Sequence, residues 1–146
     1  MLSPDYPKAY RYRRIVAARE FIDAHYASAI DLYAMADEAF FSRFHFIRLF
    51  REAWGKTPHQ YLMAVRMEQA RVLLRAGSSV SDVCSAVGLE SIPSFTRLFR
   101  QVTGTTPAAF ARAQQALMAA QAAAPLRFVP GCYIAANGWA ENSNSG

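Results

Sequence analysis

Cysteine and histidine are scarce in this chain, and the few that occur are not spaced for chemistry. The 146 residues include two cysteines, Cys84 and Cys132, and three histidines, His25, His45 and His59. No CxxC pair, no two histidines four residues apart and no accompanying carboxylate cluster occurs. We therefore expect reduced thiols instead of a disulfide framework or zinc site, and packing or surface histidines instead of metal ligands.

Long apolar runs and catalytic motifs are lacking as well. No apolar segment reaches the roughly 18 residues that span a bilayer, and the polar, proline-broken segment 1–14 is unlike a signal peptide. The chain contains no phosphate-binding loop, no dinucleotide fingerprint and no nucleophilic triad pattern. The sequence therefore predicts a cytoplasmic, non-enzymatic protein without a cofactor, a metal or a membrane partner.

What is present is apolar and basic. Hydrophobic residues make up 53% of the chain and aromatic residues 13%, enough to bury a core. The length favours one domain, or one domain with an appendage. A formal net charge of +5 and a pI of about 9.6 permit nucleic acid as a partner but do not establish one.

Helical periodicity dominates the sequence up to Pro125. Serine, threonine and proline at helix starts and glycine at helix ends divide it into seven predicted helices. On the first helix, the inner stripe consists of Ile15, Ala18, Phe21 and Ile22. The predicted helices cover residues 10–26, 31–39, 42–53, 59–76, 79–88 (starting at Ser79 or Ser81), 91–102 and 107–124.

An internal repeat is the most informative feature. Residues 48–51, Arg-Leu-Phe-Arg, recur 49 residues later as residues 97–100, and each copy is followed by a glycine and a Thr-Pro pair. Upstream of these residues, the two copies are offset by 48 residues instead of 49. The second copy therefore has one extra residue in the turn between its two helices, where a loop can absorb it. Two copies are too few for an α-solenoid, which leaves tandem helix-turn-helix DNA-binding units as the better interpretation.

The second helix of each unit has one apolar face and an opposite face that carries arginine. The predicted inner residues are Phe46, Leu49, Phe50 and Ala53, then Phe95, Leu98, Phe99 and Val102. The outward arginines at equivalent positions suit guanine edges and phosphates in a major groove. The alternative is that they are an ordinary solvated face. Cys84 and its equivalent, Ala36, are predicted small buried residues.

Two segments carry a family resemblance. Residues 80–110 read VSDVCSAVGLESIPSFTRLFRQVTGTTPAAF, and residues 65–74 read VRMEQARVLL. These segments resemble the DNA-binding domain of the AraC/XylS family of bacterial regulators, and the resemblance covers residues 10–112. It implies an all-α fold of about seven helices, with two helix-turn-helix subdomains (31–54 and 80–103) joined by a long linker helix (59–76). Residues 113–146 would add an alanine-rich helix extension and a short irregular apolar tail.

The resemblance also implies the DNA-binding residues. Phe44, Ile47 and Arg48 take the base-reading positions of the first recognition helix; Ile92, Pro93, Ser94, Thr96 and Arg97 take those of the second. Arg43, Arg51 and Arg100 complete the predicted set. Ile92 and Pro93 are less polar than a typical base-reading pair, which suits thymine methyls or DNA shape. Phe40 stands where the second copy has Gly88, so we expect a different conformation in the first turn.

The function expected from this resemblance is sequence-specific activation or repression at bacterial promoters. Double-stranded DNA is the expected partner, and RNA polymerase is a candidate second one. A predicted linker about 25 Å long, at 1.5 Å per residue, lets a monomer reach two adjacent major grooves. The alternative is a helical interaction module that modulates another regulator without binding DNA itself.

Two further questions stay open on the sequence alone. Arg66 and Arg71 either contact phosphates from the linker helix or pair with Glu68 and other acids. The tail beyond Pro125 either folds over the helices and closes the core or docks a partner or a second copy, and a ligand could also be sensed through it. Its large apolar residues are Leu126, Phe128, Val129, Tyr133, Ile134 and Trp139.

Overall fold

The computed structural model describes residues 6–33, 36 and 42–123, and this part of the chain is helical without a strand. The all-α class is therefore confirmed. The described helices are α1 (Tyr6–His25), α2 (Arg43–Trp54), α3 (Pro58–Arg75), α4 (Val80–Ala86), α5 (Ile92–Thr103) and α6 (Pro107–Ala123). None of them is both long and apolar enough to cross a membrane.

Several sequence predictions fall wholly or partly outside the described residues. Within the predicted helix at 31–39, the structure describes Asp31, Leu32, Tyr33 and Ala36, and the last three have helical backbone. The turn at Phe40 and the tail beyond residue 123, including Cys132, lie outside. The first helix begins at Tyr6 and not at Tyr10. Pro7 does not prevent this, because a proline in the first turn of a helix interrupts no helical hydrogen bond.

The ends of α2 and α5 are built in the same way, as the repeat predicts. The hydroxyls of Ser42 and Ser91 accept hydrogen bonds from the backbone N–H of the third residue of their helices, at 3.2 and 3.3 Å. Gly55 and Gly104 end the helices in the left-handed conformation, and each donates its N–H to the carbonyl four residues earlier, at 2.8 Å. Both recognition-helix candidates are therefore 12 residues long.

The apolar residues form two separate cores. The first consists of Ile15, Ala18, Ile22, Ala36, Phe46, Phe50 and Leu62. The second consists of Met67, Ala70, Leu74, Val83, Cys84, Val87, Phe95 and Phe99. The linker helix α3 contributes its first half to one core and its second half to the other.

The repeat is larger than the two helices that sequence comparison detects. The buried residues Ile15, Ala18 and Ile22 of α1 correspond, 52 positions later, to Met67, Ala70 and Leu74 of α3. The first triplet packs against α2 in the first core, and the second packs against α5 in the second core. We therefore define unit 1 as α1, α2 and the start of α3 up to Met63, and unit 2 as the rest of α3 with α4, α5 and the start of α6 up to Ala111. Each unit has a supporting helix that leads into its helix-turn-helix.

Two predicted inner residues are exposed. Phe21 is 43% exposed and stacks on the ring of His25 with centroids 4.2 Å apart, and Val102 is 53% exposed. Val102 is the last residue but one of α5, whereas Phe21 lies at the edge of the α1 stripe, since the next residue, Ile22, is fully buried. Cys84 and Ala36 are buried, as predicted, and burial raises the pKa of the Cys84 thiol.

Candidate nucleic-acid interface

Each candidate recognition helix is fixed from behind by a series of three aromatic rings. In unit 1 the ring centroids of Phe46 and Phe50 lie 6.0 Å apart, and those of Phe50 and Tyr61 lie 5.7 Å apart. In unit 2 the equivalent distances are 5.7 Å for Phe95–Phe99 and 5.5 Å for Phe99–Phe110. Edge-to-face packing of this kind is directional, so it fixes the rotation of each helix about its axis.

The outward face of α2 combines cations with an exposed aromatic ring. Phe44 is 87% exposed, Arg48 and Arg51 are exposed, and Ile47 is half-buried. These four side chains line one shallow groove along the helix together with Glu52, which forms no ion pair with the arginines. An aromatic residue so exposed is unfavourable in water unless a partner covers it.

At the start of α2, the guanidinium of Arg43 lies 4.0 Å from the ring centroid of Tyr33. This cation–π contact restricts the arginine while leaving it exposed.

The outward face of α5 has the same plan with smaller apolar groups. Ile92 is 45% exposed and Pro93 is exposed, whereas Ser94 and Thr96 are half-buried. Arg97 and Arg100 are exposed, as their counterparts are on α2. None of the eleven residues predicted from the sequence is buried, and the structure brings them together as two sets, one on each helix: Arg43, Phe44, Ile47, Arg48 and Arg51, then Ile92, Pro93, Ser94, Thr96, Arg97 and Arg100.

The outward arginines are not neutralised by the part of the protein that the structure describes. Within residues 6–33, 36 and 42–123, the two ion pairs lie on α1 and α3, away from these faces. Among these residues, no carboxylate lies at salt-bridge distance from the outward arginines Arg48, Arg51, Arg97 and Arg100. The serine-capped N-termini of α2 and α5 add the positive ends of two helix dipoles, so both faces suit a polyanion.

Arg66 neither presents its guanidinium to solvent for a phosphate nor pairs with an acid, the two roles expected from the sequence. It is only 7% exposed, and its Nε and Nη2 donate to the backbone carbonyls of Tyr26 (2.8 Å) and Ser28 (3.1 Å). Burial lowers the pKa of its guanidinium. The sequence contains a signal for this role: Arg66 lies four residues from both Leu62 and Ala70, on the buried stripe of α3.

Arg71 behaves as one of its two interpretations predicts. Its Nη1 lies 3.2 Å from a carboxylate oxygen of Glu68, one turn away on the same helix.

The histidines and acids do not gather into a centre. Among the described residues, no group of three or more His, Cys, Asp or Glu side chains is placed to hold a metal ion. His25 and His59 are exposed, and His45 is half-buried.

Known proteins share this arrangement. The family model described as a helix-turn-helix domain matches residues 35–113, more than half of the chain. The chain is 33% identical over 92 residues to the bifunctional transcriptional activator/DNA repair enzyme AdaA of Bacillus subtilis, covering 62% of this chain and 44% of that protein. It is 32% identical over 82 residues to the probable transcription factor PqrA of Proteus vulgaris, covering 56% and 67%.

A solved structure extends the comparison. The DNA-binding domain of AdpA, a global transcriptional factor in complex with a target DNA, aligns with a TM-score of 0.66 and 31% identity, over 70% of this chain and 93% of that one. The chain spans less than half the length of AdaA. The region matched by the family model contains α2 to α5, with both candidate recognition helices. The chain therefore belongs to the helix-turn-helix domain family of the AraC/XylS type.

Proposed function

We propose that this chain is a transcription regulator that binds double-stranded DNA sequence-specifically, with α2 and α5 as recognition helices in two successive major grooves. One observation carries the proposal: two equivalent, serine-capped helices each present an arginine, Arg48 or Arg97, with no carboxylate partner among the described residues. The likeness to the AdpA domain, which was solved with its target DNA, supports it.

The two faces have complementary chemistry for base edges. An arginine can bind O6 and N7 of guanine with two hydrogen bonds, and each such pair contributes about 1–3 kcal/mol of discrimination against a wrong base. The apolar groups nearby, Phe44 on α2 and Ile92 and Pro93 on α5, suit thymine methyl groups. Arg51 and Arg100, one turn further along, are placed to hold phosphates and set the register.

The linker supports binding by a monomer. At 18 residues, α3 is about 27 Å long at 1.5 Å per residue. With the width of the two units added, the recognition helices can reach major grooves about 34 Å apart, one turn of the duplex. We infer that one chain occupies both grooves from the same side of the DNA.

The proposal includes no enzymatic activity and no cofactor, and it places the protein in the cytoplasm with the DNA. At a promoter the protein would act as an activator, with RNA polymerase as a second partner, or as a repressor that occupies the site.

Selection of bound sequences from a random duplex pool tests the proposal. We expect enrichment of a site with two short elements about one turn apart. The affinity should fall steeply with salt between about 50 and 200 mM, because bound phosphates release counterions. The double variant Arg48→Ala/Arg97→Ala is the matched control and should enrich no motif. If the parent protein also enriches no motif and binds duplex DNA without salt dependence, the proposal is wrong.

A further inference from the structure

The loop that follows α1 is held by unit 2 at two points. From α3, the buried guanidinium of Arg66 donates to the carbonyls of Tyr26 and Ser28. From the turn between α4 and α5, Gly88 approaches the same backbone so closely that a Cβ there would lie 2.8 Å from the carbonyl oxygen of Ala27. The three consecutive carbonyl groups of residues 26–28 therefore face unit 2, although the loop belongs to unit 1.

Gly88 meets two separate requirements at this place. Its φ of +82° lies in the left-handed region, where a side chain is strained. The contact with Ala27 removes the space for a Cβ, whereas Cβ atoms built at Gly55 and Gly104 meet nothing within 4 Å. The glycine is thus needed for contact between the units as well as for the turn.

The position of Arg66 within the repeat supports a role between units. It lies between the two cores, since Leu62 belongs to the first and Met67 to the second. Its counterpart in unit 1, 52 residues earlier, is Arg14, which donates to the hydroxyl of Tyr10 on its own helix. Arg66 therefore makes a contact with the other unit that its counterpart in the repeat does not make.

We propose that Arg66 and Gly88 form a junction with the backbone of residues 26–28 that fixes the orientation of α5 relative to α2, and that this junction sets the half-site spacing the protein accepts. By itself, the linker helix would connect the two units only at one end of each. A second connection removes the remaining freedom to bend and rotate. The DNA-spacing part rests on the proposed function, in which both helices bind one duplex.

The orientation can be measured without DNA. Spin labels at Glu52→Cys and Gln101→Cys, equivalent exposed positions on α2 and α5, report the distance between the helices. The background carries Cys84→Ala, which copies Ala36 of unit 1, and Cys132→Ser. We expect a single narrow distance distribution for the parent and a broadened one for Arg66→Met, which keeps the length of the side chain but removes both hydrogen bonds.

The controls separate the junction from charge and from folding. Arg71→Met removes a cation from the same helix without touching the loop, and it should leave the distribution narrow. Arg66→Lys keeps the charge but cannot reach both carbonyls in the same way, so it should broaden the distribution in part. Should Arg66→Met fail to fold, Gly88→Ala tests the junction from the other side, with the same expected broadening.

DNA binding then tests the spacing. For the parent, insertion or deletion of one base pair between the half-sites should weaken binding about tenfold, similar to a mismatched base pair. For Arg66→Met, this discrimination should fall below roughly threefold, while affinity for an isolated half-site stays within about twofold. An unchanged distance distribution with unchanged spacing discrimination would overturn the junction. The two proposals can also fail separately. If Arg66→Met broadens the distance distribution but the parent shows no preference for paired half-sites, the junction is upheld and the proposed two-groove binding is refuted.

Discussion

The hydroxyl of Tyr61 accepts a hydrogen bond of 3.0 Å from Nε of Arg19 and donates one of 2.7 Å to the carboxylate of Asp23. In unit 2, Phe110 stands at the position of Tyr61 and Arg71 at the position of Arg19. Phe110 has no hydroxyl, and Nε of Arg71 is buried without a hydrogen-bond partner among the described residues. Unit 2 therefore lacks a polar contact that unit 1 makes.

This difference predicts opposite effects for two reciprocal substitutions. Phe110→Tyr should stabilise the protein by about 1 kcal/mol because it supplies a partner to Nε of Arg71, and Tyr61→Phe should destabilise it by a similar amount. Urea denaturation of both variants and the parent would measure these changes. A Phe110→Tyr variant less stable than the parent would show that the new hydroxyl does not reach the guanidinium.

Tyr61 also predicts a loss of stability at alkaline pH. Burial, followed by the hydrogen bond to Asp23, raises its pKa above the ordinary value of 10.0. As the pH rises past 10, the unfolded chain releases the phenol proton before the folded protein does, so the free energy of unfolding decreases. Denaturation midpoints between pH 8 and about pH 11 should decline less steeply for Tyr61→Phe than for the parent. Tyr12→Phe, which removes an exposed hydroxyl, is the matched control, and an equal decline in all three proteins would contradict this assignment.

The paired arginines predict equal roles in two half-sites. Arg48→Ala and Arg97→Ala should each weaken binding to the selected site by about 1–3 kcal/mol while leaving binding to random duplex nearly intact. Titrations on both DNAs, with Arg13→Ala on α1 as the control for a lost surface cation, would check this. Equal losses on specific and random DNA would mean that the arginines hold only phosphates.

The order of the units in one chain predicts the symmetry of the site. Tandem units are related by a repeat and not by a two-fold axis, so the half-sites should run in the same direction. Footprinting with a monomeric preparation should show two protected patches about one turn apart. A palindromic site bound only by dimers would be incompatible with this prediction.

The tail is predicted to stabilise the helices. Removal of residues 126–146 should lower the Tm while DNA binding persists, because both candidate recognition helices are complete before Pro125. The apolar side chains of the tail would each contribute roughly 1.5–3 kcal/mol if fully buried. On α6, Leu117 and Met118 are 42% and 58% exposed, so this helix offers apolar surface to cover. An unchanged Tm together with the loss of a dimer in light scattering would favour the alternative, a surface for self-association.

Local signals in the sequence predicted much of this fold. Serine caps, glycine stops and Thr-Pro restarts depend on neighbouring residues only, so Ser42, Ser91 and Gly104 were placed correctly. The predicted inner residues are buried where a neighbouring helix covers them, but Val102 is exposed. Periodicity gives the direction in which a side chain points but not how far the neighbouring helix extends. The local pattern places Arg66 on the buried stripe of α3, but it does not give the partner. Arg66 and Gly88 contact a loop about 40 and 60 residues earlier in the chain, and no local pattern encodes such a contact.

The sharing of α3 between the two cores determines how the protein unfolds. Leu62 is buried with unit 1, whereas Met67, Ala70 and Leu74 are buried with unit 2, all on one continuous helix. If either core opens, its half of α3 loses its packing, and a helix of half that length is only marginally stable in water. We therefore expect the units to unfold cooperatively, so a core substitution in one unit should deplete the folded population that presents both candidate recognition helices.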